Sequence, residues 1–232
     1  LQLTKRKNDQ QDVNEPSVSP DGRYVYFAED MYGGGFFQYN KNPNTQIFAV
    51  RRYDRVEGKV EDVTGGSGGA CRPQISRDGK WLAFLRRIGV KTVLMVQNLA
   101  TGEEYPIYDG LDKDQQEAWT TFGCYPGFAW MPDNDPANPK MTVAIWSGGK
   151  IKQITLDWRL KMNDDMDNRY LGMKTIKDIP FICNVKTKLA ETQRSKQPVF
   201  EENFTSHAIR QAITAPNGKL LVFNSNGQLY QK

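Results

Sequence analysis

Short apolar runs alternate with polar turns along the chain, and one pair of runs recurs with the same spelling. The stretch EPSVSPDGRYVYFAED (15–30) returns as RPQISRDGKWLAFLRR (72–87). Weaker copies are FAWMPDNDPANPKMTVAIW (128–146) and IRQAITAPNGKLLVFNSN (209–226). Self-similarity of this kind is the signature of a repeat architecture, so it constrains the fold before any single residue does.

Each copy predicts a β-hairpin. In the second run, Tyr24, Tyr26 and Ala28 alternate with Val25 and Phe27, which is the period of a half-buried strand. Asp-Gly and Asn-Gly dipeptides between the runs tolerate positive φ and predict tight hairpin turns. The residues assigned to this structural motif are Pro20, Asp21, Gly22, Asp78, Gly79, Pro132, Asp133, Pro216, Asn217 and Gly218.

Further strand-like runs follow each hairpin. They are QIFAVRRYD and KVEDVTG in the first copy, KTVLMVQNL and EEYPIYD in the second, and GKIKQITLD and DIPFICNVKT in the third. The last two are separated by the polar insert WRLKMNDDMDNRYLGMK, and only GQLYQK follows the fourth hairpin. The turn residues Asp21, Asp78, Asp133 and Asn217 are 57, 55 and 84 residues apart. A hairpin followed by two strands at these spacings fits four-stranded propeller blades with added loops.

The predicted fold class is therefore all-β, a β-propeller of four-stranded antiparallel blades. We expect about four blades in a domain or fragment over 1–232. Four is the lower limit for a propeller, so we expect the chain to be part of a larger ring. Their expected ranges are 13–65, 71–110, 126–190 and 208–232. A β-sandwich would have similar strand counts, but it would not explain the repeated spelling.

Two resemblances follow from the repeat. PSVSPDGRYVYF and PQISRDGKWLAF resemble the hairpin P-x-φ-S-P-D-G-x-φ-φ-φ-F of TolB-type propeller repeats, where φ is an apolar residue. NEPSVSPDGRYVYFAED, AIWSGGKI and IRQAITAPNGKLLVFNSNGQLY resemble the N-terminal propeller of bacterial amidohydrolase-related proteins. The second resemblance implies that a metal-dependent hydrolase domain follows the propeller, and that the protein is periplasmic or secreted.

Composition and charge narrow the class of partner. The net charge is +4, but basic residues cluster only as Lys5-Arg6-Lys7, Arg51-Arg52 and Arg86-Arg87, so no nucleic-acid surface is predicted. No run approaches the roughly 20 apolar residues of a membrane helix. The N-terminus LQLTKRKNDQQD has no apolar signal-peptide core, so we expect a cytosolic chain, a processed chain or a fragment.

No catalytic, cofactor-binding or metal-binding residue is predicted in this chain. An amidohydrolase metal site needs several histidines, and the sequence contains only His207. GGSGGACRP (65–73) lacks the Lys-Ser/Thr pair of a phosphate loop and predicts a flexible connection between blades. The acidic runs DGLDKDQQEAW and NDDMDNR lack EF-hand spacing and predict exposed loops.

The three cysteines fit neither a disulfide framework nor a CxxC metal site, and at most one bridge can form among Cys71, Cys124 and Cys183. The sequon at Asn203 is a match by pattern only. YGGGFFQYNKNPN is a glycine-rich excursion whose aromatic residues are expected to pack over a blade edge.

The function expected first is that of a non-catalytic propeller domain in a larger bacterial amidohydrolase-like hydrolase, aiding assembly or substrate access. Its partner would be the rest of the same polypeptide, with further blades and a hydrolase domain. The alternative is a stand-alone TolB-like scaffold that binds another protein. A gene product extended by a His-x-His segment would support the first hypothesis, and a stop codon soon after Lys232 would support the second.

Two predictions concern packing. Val18, Ile75 and Trp130 in the first strands, and Phe27, Phe84 and Trp146 in the second strands, are expected to pack between blades. LQLT (1–4) resembles an outer strand that ends a blade. We expect missing blades outside this chain, with a ring of four closed by LQLT against 227–232 as the alternative.

Overall fold

Alternating apolar residues form the strands of four antiparallel sheets in the computed structural model. The structure describes residues 2–5, 13–31, 48–111, 127–132, 141–156, 174–180, 209–215, 218–225 and 228–231. The strands of sheets one and two are β1 (Val13–Val18), β2 (Tyr24–Asp30), β3 (Phe48–Asp54), β4 (Lys59–Asp62), β5 (Cys71–Ile75), β6 (Trp81–Ile88), β7 (Lys91–Asn98) and β8 (Glu104–Tyr108). Those of sheets three and four are β9 (Phe128–Trp130), β10 (Met141–Ser147), β11 (Lys150–Leu156), β12 (Lys174–Ile179), β13 (Ile209–Thr214), β14 (Leu221–Ser225) and β15 (Gln228–Gln231).

Each sheet is built from consecutive strands, in the orders β1-β2-β3-β4, β5-β6-β7-β8, β9-β10-β11-β12 and β13-β14-β15. The four recurring hairpins are the first two strands of the four sheets. Residues 16–30 and 73–87 therefore lie in different sheets, as predicted. The described ranges contain strands and turns and no helix, which confirms the all-β prediction.

The repeated spelling encodes a turn that is held by its own side chains. Ser19 Oγ donates to Asp21 Oδ1 at 2.5 Å and accepts from the Tyr24 backbone N at 2.8 Å. The Gly22 backbone N donates to the Ser19 carbonyl oxygen at 2.8 Å, and the Ser19 N donates to the Tyr24 carbonyl oxygen at 2.9 Å. Gly22 has a φ of 71°, a left-handed conformation that an L side chain rarely adopts.

The second copy repeats the network, with Ser76 Oγ donating to Asp78 Oδ1 at 2.6 Å and accepting from the Trp81 N at 3.0 Å. In both turns the glycine is the residue with positive φ, the property on which the prediction of a tight hairpin turn rested. Pro132 is described, whereas Asp133, Pro216 and Asn217 lie outside the described residues.

The first strands share a β-bulge at one position of the repeat. The register shifts between Asn14 and Ser17 in β1, between Cys71 and Gln74 in β5, and between Arg210 and Ile213 in β13. The extra residues are therefore 15–16, 72–73 and 211–212. A bulge of this kind bends the strand and redirects its side chains.

The chain divides into two compact units, Leu1–Tyr125 with Leu156–Lys174, and Pro126–Thr155 with Thr175–Lys232. In the first unit, sheets one and two share one buried core. Its members are Tyr26 and Val50 from sheet one, Ala70 from the connection, and Leu82, Phe84, Val93 and Met95 from sheet two. In the second unit, Ala144, Trp146 and Ile151 of sheet three pack with Ala212, Leu221 and Phe223 of sheet four.

The register corrects part of the packing prediction. Phe84 is fully buried between two sheets, as predicted. Val18 is 55% exposed, and it pairs with Val25 on the face of sheet one opposite to Tyr26, so it does not pack against sheet two. Phe27 is buried on that same opposite face.

In the third repeat, Trp146 is buried between sheets three and four, as predicted, but it is not the equivalent of Phe84. Val143 pairs with Trp130, as Leu82 pairs with Ile75. Ile145 therefore takes the place of Phe84 in the repeat, and Trp146 lies on the other face of its sheet. The longer turn of the third copy hid this one-residue difference, which moves a side chain to the opposite face.

Two predicted strands also differ from the structure. The fourth strand of sheet three is Lys174–Ile179, whereas the sequence predicted it over 178–187, most of which lies outside the described residues. Residues 2–5 belong to no strand, so the outer strand predicted at LQLT is absent from the described part of that segment. Among the described strands, β15 is the end of sheet four.

Candidate functional site

The bulges of β1 and β5 place two opposite charges together. Glu15 and Arg72 occupy the same position of the repeat, and both have positive φ, 56° and 54°. Arg72 Nε lies 3.0 Å from Glu15 Oε1, and the Arg72 backbone N donates to Glu15 Oε2 at 2.8 Å. We call these two residues the bulge pair. Non-glycine residues with positive φ persist only where surrounding contacts hold them, and they often mark functional positions.

Burial dominates the electrostatics of the bulge pair. Removal of Glu15 from water raises the pKa of its carboxyl group, and the Arg72 guanidinium together with the Arg72 backbone N–H partly opposes the rise. The pair therefore ties β1 to β5 at the cost of desolvating a carboxylate. The Ile75 backbone N donates to Ser17 Oγ at 3.3 Å and adds a second tie between the same strands.

Exposed apolar residues lie on β1, the strand that contains Glu15 of this pair. Val13 and Val18, at the two ends of β1, are both exposed, whereas Glu15 and Ser17 between them are partly buried. We call Val13, Glu15, Ser17 and Val18, together with Arg72, the first-strand surface. Val13 and Val18 lie on the face of sheet one opposite to Tyr26, whereas Ser17 and the bulge pair contact sheet two at the edge of the same strand.

The other charges of sheet one form cross-strand ion pairs. Arg51 contacts both Glu29, at 2.8 Å, and Asp62, at 2.7 Å, and so bridges β2, β3 and β4. Arg52 contacts Glu61 of β4 at 2.7 Å. These charges stabilise neighbouring strands of one sheet.

Asp54 at the end of β3 is the most strongly perturbed carboxylate among them. Arg23 Nη2 donates to Asp54 Oδ2 at 2.7 Å, and the Val56 and Glu57 backbone N–H groups donate to Oδ1 at 2.8 and 3.2 Å. The hydrogen bond from Arg23 is the largest cause that lowers the pKa of Asp54 to about 2. The group anchors the β3–β4 turn as a permanent anion.

The glycine-rich connection is bonded to sheet two through Arg86. Arg86 Nε donates to the Gly69 carbonyl oxygen at 3.0 Å, and Nη2 donates to the Gly65 carbonyl oxygen at 2.9 Å. The same guanidinium pairs with Glu104 and lies over the Phe84 ring at 5.0 Å. The connection predicted to be flexible is thus held by specific hydrogen bonds.

The sequence Gly65-Gly66-Ser67-Gly68-Gly69 also matches the pattern Gly-x-Ser-x-Gly. A nucleophile elbow needs a strand before the serine and a helix after it. Here the segment joins β4, which ends at Asp62, to β5, which begins at Cys71. Its structural setting is a connection between sheets.

Several candidate residues fall outside the described ranges: His207, Cys124, Cys183, Asn203, the aromatic residues of 32–39, most of the first acidic run and all of the second. Cys71 is buried, forms no disulfide, and places Sγ 3.8 Å from the Leu85 carbonyl oxygen. In the described part of the chain, no three His, Cys, Asp or Glu side chains are grouped to hold a metal. The same ranges contain no helix with the length and apolar character needed to cross a membrane.

In the second unit, the first strands are joined by neutral groups. Thr214 Oγ1 donates to the Trp130 carbonyl oxygen at 3.0 Å. Gly218 approaches Pro132 so closely that a Cβ atom at Gly218 would lie 1.8 Å from Pro132 Cγ. Gly79 and Pro20 form the equivalent contact in the first unit, where a Cβ atom would have 3.7 Å to the nearest Pro20 atom.

Comparison with known proteins supports the fold. No protein-family model and no curated protein matches the chain. Among solved structures, TolB from Acinetobacter baumannii is 12% identical with a TM-score of 0.53, over 99% of this chain and 41% of that chain. Hydrazine synthase from Kuenenia stuttgartiensis is 14% identical with a TM-score of 0.50, over 94% of this chain and 57% of that one.

The β-propeller domain of the Trilobed protease from Pyrococcus furiosus is also similar, at 11% identity and a TM-score of 0.44, over 99% of this chain and 58% of that one. The chain therefore spans less than two thirds of the length of each of these structures. Its fold class is that of the β-propeller, with consecutive antiparallel sheets as blades.

The bulge pair was not identified from the sequence, although a signal for it exists. Glu15 and Arg72 each precede the repeat's Asp by six residues and the repeat's first-strand apolar residue by three, and they carry opposite charges. Opposite charges at one repeat position indicate a contact when successive repeats are neighbours. The positive φ and the burial of the pair come from tertiary structure and have no such signal.

Proposed function

We propose that this chain is a non-catalytic β-propeller scaffold that binds a partner protein through the first-strand surface. The observation that carries the proposal is the exposure of Val13 and Val18 on β1, the strand that contributes Glu15 to the bulge pair. Exposed apolar side chains next to fixed polar groups are typical of a protein-binding surface. The ion pairs of sheet one, by contrast, have clear structural roles within the sheet.

The proposed partner segment is extended. β1 is the end strand of sheet one, so a second polypeptide segment can lie along it, with an apolar side chain against Val18. The bulge at Glu15 bends the strand and limits the length of regular pairing. Specificity would then come from side chains at the bulge pair, where an unpaired charge in a wrong partner is costly.

A site-specific photo-crosslinker tests this proposal in the cells that produce the protein. Placed at Val18, it should react with one partner protein, and the product should disappear when Arg72 is replaced by Ala. The same group at Val56 in the β3–β4 turn, which is 72% exposed against 55% for Val18, serves as the control. Equal products from both positions, or none from Val18, would contradict the proposal.

The hydrolase-domain hypothesis differs in the source of the partner. If the chain is the propeller of a larger amidohydrolase-like enzyme, the crosslink from Val18 should form within one polypeptide, to a segment that carries His-x-His. The mass of the crosslinked product distinguishes the two cases, since an internal link leaves the mass of the full gene product unchanged.

The absence of catalysis is part of the proposal and has its own test. Purified chain 1–232 should not hydrolyse peptides, esters or cyclic amides with or without added zinc. Metal-dependent turnover that is lost in His207→Ala would overturn it.

A further inference from the structure

The hairpin formed by β6 and β7 is longer than its equivalents in sheets three and four. Arg86 of β6 corresponds to Ser147 of β10 and Ser225 of β14, counted from the paired residues of the first two strands. β10 ends at Ser147, and Ser225 belongs to the last pair of β14 with β15. β6 pairs with β7 for two further residues, up to Ile88. At about 3.4 Å per residue, the turn of sheet two lies about 7 Å further along its strands.

This longer hairpin ends in exposed apolar side chains. Ile88 is 48% exposed and Val90 is 74% exposed. Gly89 between them has a φ of 60°, which allows the tight turn that joins β6 to β7. We call Ile88, Gly89 and Val90 the apolar tip. The equivalent turn of sheet three contains Gly148 and Gly149, so the aliphatic side chains belong to sheet two and not to the repeat.

The surrounding contacts hold the extended hairpin in place. The Arg87 backbone N donates to the Gly68 carbonyl oxygen at 3.0 Å, and Arg87 Nε donates to the Gly89 carbonyl oxygen at 3.2 Å. A Cβ atom at Gly68 would lie 1.8 Å from the Arg87 carbonyl oxygen, so the glycine-rich connection packs directly against the extension. The apolar tip is therefore pre-organised, and binding to a partner would not have to order it.

Basic residues lie directly behind the apolar tip on both strands. Arg87 precedes the tip on β6, and Lys91 follows it on β7. Lys91 Nζ lies 2.6 Å from Asp109 Oδ2, and both side chains are more than half exposed, so an anionic group of a partner can reach Lys91. From the end of the hairpin inwards, the order is apolar and then basic. A bilayer interface presents acyl chains and then phosphates in the matching order.

We propose that the apolar tip docks on an anionic lipid surface, with Ile88 and Val90 at the boundary of the acyl chains and Arg87 and Lys91 at the level of the phosphates. Shape favours a lipid surface over a partner protein. A specific protein interface buries about 800 Å² on each partner, more than two aliphatic side chains offer, whereas a bilayer needs no complementary cavity. The net charge of +4 favours the same surface.

The apolar tip shares no residue with the first-strand surface, so this proposal does not depend on the proposed function. Co-sedimentation of the purified chain with vesicles tests it, using phosphatidylcholine with or without phosphatidylglycerol. The wild type should bind the vesicles that contain phosphatidylglycerol, and added salt should weaken this binding. The double variant Ile88→Ser/Val90→Ser should bind at least about tenfold more weakly, because it removes the apolar burial.

The matched control is Val56→Ser, which replaces a valine that is 72% exposed in the β3–β4 turn. It should bind vesicles as the wild type does. Lys91→Gln is a second variant, and it should weaken binding only to the vesicles that contain phosphatidylglycerol. The replaced side chains are exposed, so each variant should keep the far-ultraviolet circular dichroism of the wild type.

The depth of the tip in the bilayer is a second readout. Val90→Trp and Val56→Trp each add one tryptophan to the five that the chain already contains, so both variants have the same background fluorescence. Lipids with brominated acyl chains should quench the fluorescence of Val90→Trp more strongly than that of Val56→Trp.

A wild-type chain that does not bind the phosphatidylglycerol vesicles overturns the proposal and points to a partner protein instead. Equal binding by the wild type and by Ile88→Ser/Val90→Ser overturns it as well, and so does an equal loss in Val56→Ser. Equal quenching of the two tryptophan variants would show that the tip does not enter the bilayer and would also overturn it.

Discussion

In the first unit, sheet two packs on sheet one through Phe84, and in the second unit, sheet four packs on sheet three through Phe223, the residue at the same repeat position. The partners differ. Phe84 meets Tyr26 and Val50, whereas Phe223 meets Trp146 and stacks on Tyr230 at 5.6 Å between ring centroids. The two units therefore share the position at which an aromatic ring packs against the neighbouring sheet, and they differ in the side chains around that ring.

The two units differ more at their first strands. The first unit joins β1 to β5 with an ion pair held at two strained bulges, whereas among the described residues of the second a hydrogen bond between the neutral groups of Thr214 and Trp130 joins β13 to β9. An ion pair of this kind costs desolvation and a hydroxyl–carbonyl bond costs little. The strained and charged version is the one beside the proposed binding surface.

The largest effects should come from truncation of the two equivalent phenylalanines. Phe84→Ala and Phe223→Ala should each lower the free energy of unfolding by about 3–5 kcal/mol, because each leaves a cavity in a buried core. Denaturant unfolding gives the size of the loss. Hydrogen exchange of 81–98 and 221–231 shows which unit is affected. A loss below about 1 kcal/mol for either would show that the two interfaces are not equivalent.

Substitution of the turn glycines Gly79 and Gly218 should destabilise the two units to different extents. Both glycines have positive φ, so Ala at either position should lower the free energy of unfolding by about 1 kcal/mol. Gly218→Ala also brings a Cβ atom into Pro132 and should cost about 2–4 kcal/mol in total, whereas Gly79→Ala meets open van der Waals distance. Equal losses measured by thermal unfolding would contradict the difference in packing.

The bulge pair provides a third comparison. Glu15→Ala should cost about 1–3 kcal/mol, because it leaves the largely buried Arg72 guanidinium without its carboxylate. Glu15→Gly removes the same carboxylate but tolerates a φ of 56°, so it should cost about 0.5–1 kcal/mol less. In the second unit, Thr214→Ala should cost about 1 kcal/mol through the lost hydrogen bond. If Glu15→Gly and Glu15→Ala are equally unstable, the bulge is not strained.

The sequence was sufficient for the fold because strand alternation and the turn spelling are both local. Ser19, Asp21 and Gly22 form their turn with one another, so the motif alone predicts it. Burial between two sheets was predicted correctly for both Phe84 and Trp146. The equivalence of Trp146 with Phe84 was wrong, because it depends on counting residues through a longer turn. The bulge pair required contacts between residues 57 positions apart, which no local pattern supplies.

The smallest expected effect concerns the response to acid, where a buried carboxylate of the first unit is compared with an exposed one of the second. Arg23 and the backbone N–H groups of Val56 and Glu57 lower the pKa of Asp54 to about 2, below the ordinary value of about 3.9. A lowered folded-state pKa contributes stability that is present above the unfolded-state pKa and lost as the pH falls through the folded-state value. Asp54→Asn should therefore be less stable than the wild type at pH 7, and the difference should shrink as the pH falls from about 4 to about 2.

Asp178 is the exposed carboxylate in this comparison, and Lys150 and Lys152 lower its pKa. Its side chain is 47% exposed, against 3% for Asp54, so Asp178→Asn should show the same trend more weakly. Urea unfolding at pH 7, 4 and 2.5 measures both differences. A difference for Asp54→Asn that stays constant over this range would show that the carboxylate does not titrate with the fold.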